Sequence, residues 1–108
     1  LLKFFKDKTS IALMIDQRVS EGIKIDFFNK PAFTTTIPAQ FVRKFGAKIV
    51  PIYIERNKFN EFNLVIHDPL IFNKSDSIES ITHQLNKVLE KMISQNPNQW
   101  IWTHDRWK

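Results

Sequence analysis

Several segments of the chain carry apolar and polar patterns that predict regular structure. Residues 11–16 form a short, continuously apolar run ending at Asp16, which is typical of a strand buried on both faces. Residues 47–55 are β-branched and aromatic, and residues 61–67 partly alternate, so each predicts a further strand. Residues 17–34 show no clear period, and we interpret them as a long loop.

Two other stretches repeat apolar residues at helical spacing. The first follows the threonines at 34–36, and Gly46 is expected to end it as the left-handed residue. The second spans about residues 77–95, and Asp76, just before it, with Glu79 three residues later has the spacing of a capping box. Seven apolar residues fall on one stripe of this second helix: Ile78, Ile81, Leu85, Val88, Leu89, Met92 and Ile93.

The order of these elements predicts an α/β domain with too little sheet for its own buried strand. A strand that is apolar on both faces needs neighbouring strands and covering layers, which these residues hardly provide. We therefore expect residues 1–108 to be a single domain, the C-terminal part of a larger layered α/β fold with a mixed sheet flanked by helices. The start at Leu1, with no signal-peptide pattern after it, fits a cut point inside a longer chain.

Composition excludes several classes of site. The 108 residues include no Cys and two Gly, which rules out disulfides, thiolate metal sites and glycine-rich phosphate loops. The three histidines, His67, His83 and His104, lie far apart without a carboxylate at ligand spacing. We expect neither a metal nor a cofactor. The apolar runs are also too short to cross a bilayer.

The net charge of +5 is spread along the chain rather than concentrated in one block. A modest positive face attracts polyanions, among them phosphorylated lipid headgroups and acidic carrier proteins, although a solvated surface is the alternative. The excess lies mainly on Arg43, Lys44, Lys48, Arg56 and Lys58.

Two further features are candidates for binding. Asp16 ends the expected buried strand, where ligands bind in open α/β sheets, although it could equally form a turn. Gln17 and Arg18 follow it and supply donors for a phosphate or a sugar hydroxyl. The C-terminal tail, residues 99–108, holds all three tryptophans, Trp100, Trp102 and Trp107. They would stack on nucleobases, anchor at a membrane interface, or pack under the long helix.

Taken together, six segments resemble one family, the lipid A biosynthesis acyltransferases, which are the lauroyl and myristoyl transferases of Gram-negative bacteria within the lysophospholipid acyltransferase superfamily. The resemblance covers nearly the whole chain from Ile11 to Lys108, with Asn29 departing from the glycine usual in the family. The segments are Asp16–Gly22, Asp26–Thr36, Pro38-Ala39, Phe45–Ala47, Ile49–Pro51 and Asn96–Lys108.

The resemblance implies transfer of a fatty acyl chain from acyl carrier protein to a hydroxyl of a Kdo-bearing lipid A precursor, at the cytoplasmic face of the inner membrane. It implies a histidine general base with an acidic residue five positions later, a pair that no histidine of this chain offers. We therefore expect no catalytic residue and no activity in these 108 residues alone. The membrane anchor of the family is not expected here either.

By the same resemblance, the expected substrate-binding residues lie in three groups. Asp16 and Gln17 would lie near the active cleft, Arg18 and either Arg43 or Arg56 would contact phosphate or sugar, and Phe27 and Phe28 would line the acyl path. Each has a structural alternative, namely core packing for the two phenylalanines and solvated surface for the arginines.

Two rival hypotheses remain open at this point. A basic, tryptophan-rich module would bind nucleic acid in a salt-dependent way, although the resemblance implies no nucleic-acid partner. A degenerate product of a truncated gene would have no activity. Strand edges and apolar surface left uncovered would favour self-association.

Overall fold

The computed structural model describes residue 3 and residues 9–108, and combines two helices with two strand pairs. The elements in chain order are β1 (Ile23–Phe27), β2 (Lys30–Thr34), α1 (Ile37–Phe45), β3 (Ile52–Arg56), β4 (Phe62–Ile66) and α2 (Ile78–Gln95), followed by a 3-10 turn at Pro97–Gln99. Strand β1 pairs with β2 and β3 with β4, both antiparallel. This architecture confirms the α/β class.

The first hairpin occupies residues 23–34, so the prediction of a long loop over residues 17–34 was wrong for that part, whereas residues 17–22 have no helix or strand. The register pairs Ile23 with Thr34 and leaves Phe28 and Asn29 as the two-residue turn. Both turn residues have positive φ, 50° and 60°, as type I′ hairpin turns require. Asparagine adopts this conformation more readily than most residues, so the turn forms without the glycine usual in the family.

The predicted strand over residues 11–16 was also wrong. The segment has no regular structure, and Leu13 and Met14 are 39% and 79% exposed. A strand of this kind requires hydrogen-bonded neighbours on its edges, and no other described residue pairs with it.

Both predicted helices are present, with one correction at a cap. Gly46 ends α1 with φ of 62°, as expected. At the start of α2, Ser77 accepts a hydrogen bond from the Ser80 backbone N–H at 3.0 Å. Asp76 instead accepts from the Asn73 backbone N–H, so the capping box predicted from Asp76 does not form.

Helix α2 contributes to two buried clusters and so joins the first hairpin to α1. One cluster packs against the hairpin and the tail, and the other against α1. The first contains Phe27, Ala32 and Ile93, with Phe28, Leu89, Trp100 and Trp107 around them. The second contains Ala39, Ile81 and Leu85, with Ile15, Val42, Ile49, Leu70 and Phe72 around them. The tail is therefore part of a core, which bears on the candidate site.

The β3–β4 hairpin has one face of large apolar side chains open to solvent. Both strands were predicted, although β3 is shorter than residues 47–55, and Ile49 forms only an isolated bridge with Leu70. We call this surface the open face: Ile52, Ile54, Phe62, Leu64 and Ile66, each between 56% and 65% exposed. The expected exposure of apolar surface is thus present.

None of the helices found in the described residues is long and apolar enough to span a membrane.

Candidate functional site

The aromatic tail packs inward against the first hairpin, which confirms the third interpretation for two of its three tryptophans. The Trp107 ring stacks on Phe27 with a centroid distance of 5.5 Å and an interplanar angle of 28°. Its indole N–H donates to the Phe27 backbone carbonyl at 2.9 Å. Trp100 meets the same phenylalanine edge-on at 5.8 Å. Trp102 is 48% exposed.

Arg106 also lies against Phe27, and its side chain is fully buried. Its guanidinium donates to the Phe33 backbone carbonyl and, at 2.9 Å, to Thr34 Oγ1. It also lies over the Phe27 ring, 5.2 Å from the centroid. Burial lowers the pKa of Arg106 from its ordinary value, while the negative charge of Asp16 acts in the opposite direction.

The Thr34 hydroxyl is the node where the tail, the hairpin and α2 meet. It donates to the Ala32 backbone carbonyl at 3.1 Å and accepts from Arg106 and from Asn86 Nδ2, the latter at 3.3 Å. Asn86 also donates to the Asp26 carbonyl at 3.1 Å. Because a hydroxyl offers one donor and two acceptor positions, Thr34 uses its full capacity here.

Two contacts tie the predicted Asp16–Arg18 segment to this tail. Asp16 Oδ2 accepts from the Trp100 indole N–H at 3.2 Å. The Arg18 backbone N–H donates to His104 Nε2 at 3.0 Å, which requires that nitrogen to be unprotonated. The structure thus joins the two ends of the family resemblance, which are more than 80 positions apart in sequence.

The side chains of Gln17 and Arg18 are exposed beside these contacts. Neither side chain forms a hydrogen bond or ion pair with another residue in the described part of the chain. Their amide and guanidinium groups therefore remain available to a phosphate or hydroxyl ligand.

The two phenylalanines at the tip of the first hairpin differ in accessibility. Phe27 is fully buried in the first core cluster, whereas Phe28 is half-buried. The Phe28 backbone N–H donates to Glu90 Oε1 at 2.8 Å, and Glu90 also pairs with Lys87 at 3.0 Å. The core alternative therefore describes Phe27, and contact with an acyl chain remains a prediction for both.

Arg43 and Arg56 do not join the cluster around Asp16. The Arg43 guanidinium donates to the Lys74 backbone carbonyl, ahead of α2. Arg56 lies over the Phe62 ring at 5.1 Å, and its backbone exchanges two hydrogen bonds with the Gln99 amide, at 2.7 and 2.8 Å. Both arginine side chains are exposed, and their proposed contacts with substrate remain predictions.

In the described part of the chain, no three histidine or acidic side chains are grouped so as to hold a metal ion. The Asp16–Arg18 segment presents the exposed donors of Gln17 and Arg18, and its hydrogen bonds with Trp100 and His104 hold it against the tail. That arrangement can bind and orient an anionic or hydroxylated ligand.

Sequence reasoning missed Arg106, Asn86 and Thr34 as members of this cluster. For Asn86 the sequence holds a usable signal, because a polar residue lies there next to the apolar stripe of α2. The structure shows that this asparagine is fully buried. The contact of Arg106 with Thr34 spans 72 positions, so sequence spacing holds no signal for it.

Comparison with known proteins identifies the family. The family model described as bacterial lipid A biosynthesis acyltransferase matches residues 1–108. A curated relative, the lipid A biosynthesis lauroyltransferase of Escherichia coli, is 32% identical over 83 residues, which is 76% of this chain and 27% of the relative. The chain thus spans about a quarter of the relative it matches. With the family match covering its full length, the chain belongs to the bacterial lipid A biosynthesis acyltransferases.

Proposed function

We propose that this chain is the C-terminal part of an enzyme that transfers a fatty acyl chain from acyl carrier protein to a hydroxyl of a Kdo-bearing lipid A precursor. The observation that carries the proposal is the family match over residues 1–108. The working site is the cytoplasmic face of the bacterial inner membrane, where the acyl donor and the lipid precursor meet.

In this proposal, the Asp16–Arg18 segment binds the lipid acceptor. Gln17 and Arg18 present exposed donors, which suit the sugar hydroxyls and phosphates of a lipid A headgroup. The Asp16 carboxylate is engaged by Trp100, so its task is to fix the segment while its neighbours contact the ligand. Arg43 and Arg56 are exposed cations that would attract the acidic carrier protein or the phosphates.

The chemical step requires residues outside these 108. Acyl transfer to a hydroxyl needs a general base within hydrogen-bond reach of that hydroxyl. The family's base is a histidine with an acidic residue five positions later, and no histidine of this sequence has one. We therefore expect residues 1–108 alone to be inactive, with the base supplied by the remaining part of the family fold.

The direct test is acyl transfer from labelled acyl carrier protein to a Kdo-bearing lipid A precursor. Residues 1–108 are compared with the longest natural chain that contains them. Activity in the longer chain alone supports the proposal. A longer chain that is folded but transfers no acyl group contradicts the proposal. Acyl transfer by residues 1–108 alone contradicts it as well.

A matched pair of variants locates the acceptor site in the longer chain. Arg18→Gln removes an exposed cation from the proposed site, and Lys30→Gln removes one from the turn end of β2. We expect the first to raise KM for the lipid precursor about tenfold, the loss of one charge-assisted hydrogen bond, and the second to leave it unchanged. Equal effects of the two variants would contradict the assignment of Arg18.

Binding of nucleic acid is the alternative that the tail chemistry raised. Two of the three tryptophans are packed against Phe27 and so are unavailable for base stacking. We expect no binding of a single-stranded oligonucleotide at about 50 mM salt. Binding that is lost on Trp102→Ala would favour the alternative.

A further inference from the structure

We propose that Arg106 is a positioning residue, whose buried guanidinium fastens the tail to the first hairpin and thereby holds the Asp16–Arg18 segment in its binding orientation. The inference deepens the proposed function and rests on it, because it assigns a role to the tail in presenting Gln17 and Arg18 to the acceptor. The proposed effect of Arg106 on the exposed binding segment is indirect, because it acts through the tail.

The first step is that the segment before the hairpin has little structure of its own. Residues 9–20 belong to no helix or strand. Within the described part of the chain, their only hydrogen bonds are those from Trp100 to Asp16 and from Arg18 to His104. Ile15 packs against the second core cluster, and both hydrogen-bond partners of the segment lie in the tail, so the orientation of Asp16 and Arg18 depends on the tail.

The second step is that the tail has no regular structure that would fix it. After the 3-10 turn at Pro97–Gln99, residues 100–108 form turns without a helix or strand. Besides the ring contacts of the tryptophans with Phe27 and Phe28, the hydrogen bonds from the tail to the first hairpin are those of the Trp107 indole N–H to the Phe27 carbonyl and of the Arg106 guanidinium to Phe33 and Thr34. Arg106 is the anchor that engages two hairpin residues through hydrogen bonds.

The third step is the cost of placing this cation in a core. Arg106 is fully buried, and the described residues contain no ion pair that includes it, Lys87–Glu90 being the pair observed there. Its Nε–H and the Asn86 Oδ1 are both buried without a hydrogen-bond partner among the described atoms. A well-packed apolar side chain is often no less stabilising than a buried charge. The directional hydrogen bonds of Arg106 therefore fit a role in specifying position.

The consequence for binding follows from the sensitivity of such sites to geometry. A displacement of about 1 Å in a positioning group is enough to lower a rate by about two orders of magnitude. When Arg106 is replaced, the tail loses two hydrogen bonds to the first hairpin. Trp100 and His104 are then held less firmly, and these are the hydrogen-bond partners of Asp16 and Arg18. The exposed side chains of Gln17 and Arg18 therefore lose their fixed orientation.

Kinetics in the longest natural chain test the inference. The variants are Arg106→Met, Arg106→Lys and Trp100→Phe, which removes the indole donor to Asp16 together with the five-membered ring that carries it. The control is Lys108→Met, which removes an exposed cation from the same tail. We expect KM for the lipid acceptor to rise at least tenfold in Arg106→Met and severalfold in Trp100→Phe. KM for the acyl donor should stay unchanged, with partial rescue in Arg106→Lys.

A merely structural role for Arg106 would lower the amount of active enzyme and leave both KM values unchanged, and that result overturns the inference. An equal rise of both KM values overturns it as well. If Arg106→Met does not fold, Trp100→Phe still tests the contact between the tail and Asp16, since it leaves a smaller aromatic ring against Phe27.

Hydrogen exchange in the longest natural chain tests the same link without any activity measurement. We expect the Arg18 amide to exchange at least tenfold faster in Arg106→Met than in the natural sequence, with no change in Lys108→Met. Equal protection of that amide in all three chains overturns the inference. Faster exchange together with no acyl transfer in the folded longer chain supports the positioning link and contradicts the proposed function.

Discussion

Replacing Thr34 by valine removes the hydroxyl on which three parts of the molecule converge, while keeping the shape of the side chain. The change leaves the buried Arg106 without one of its two hydrogen bonds and takes one from Asn86. A hydrogen bond to a charged group contributes about 1.5–3 kcal/mol and a neutral one about 0.5–1.5 kcal/mol. We expect the free energy of unfolding to fall by about 2–4 kcal/mol.

Thr36→Val is the matched control for this experiment. Thr36 Oγ1 accepts a hydrogen bond from the Gln40 side chain at an exposed position, so its loss should cost less than about 0.5 kcal/mol. Both free energies of unfolding come from denaturant titrations of residues 1–108 that are monitored by far-ultraviolet circular dichroism. A difference between the two variants below about 0.5 kcal/mol would refute the interpretation of Thr34 as the node of a tight polar cluster.

Three other features give shorter tests. A Cβ at Gly22 would overlap the Thr34 carbonyl, so Gly22→Ala should lower the free energy of unfolding by about 1–3 kcal/mol in the same assay, and an unchanged midpoint would argue against that close approach. Tyr53 is the single tyrosine, and burial followed by the charge of Glu55 raises its pKa above the ordinary 10.0. Since the folded chain holds this proton more tightly, the contribution of Tyr53 to stability is complete below pH 10.0 and is lost as pH rises through the folded pKa. A pH titration of tyrosinate absorbance should give a midpoint above 10.0 that moves back towards 10.0 in Glu55→Gln. Leu64→Lys on the open face should reduce self-association in sedimentation, because the face is a contiguous exposed apolar surface, whereas unchanged association would place the contact elsewhere.

The helices were predictable because their signals are local. The stripe of apolar residues on α2 and the left-handed Gly46 after α1 both depend on spacing within a few turns. The β3–β4 strands were predictable for a similar reason, since their β-branched and alternating residues flank a short polar turn.

The first hairpin was missed although its signal is in the sequence. Ile23, Ile25 and Phe27 alternate with polar residues, and Asn29 provides a residue suited to positive φ. The segment was interpreted as a loop because residues 17–34 as a whole show no clear period and contain Gly22, Asn29 and Pro31. Pro31 lies instead in β2, a strand with a single hydrogen-bonded neighbour, where proline is tolerated.

The error over residues 11–16 has a different origin. The apolar run meets the local requirement for a buried strand, but a strand also depends on neighbours that its own sequence does not contain. The candidate site was likewise predicted only in part. Asp16 to Arg18 carried a local signal, whereas their partners Trp100 and His104 lie at the other end of the chain.

The contact between the Asp16–Arg18 segment and the tail is best tested by a double-mutant cycle of Asp16→Ala and Trp100→Phe. Unfolding free energies of the four chains isolate the interaction between the two side chains. With an indole N–H donating to a charged carboxylate at 3.2 Å, we expect a coupling energy of about 1.5–3 kcal/mol. Additivity within about 0.3 kcal/mol would contradict the claim that the two segments form one unit.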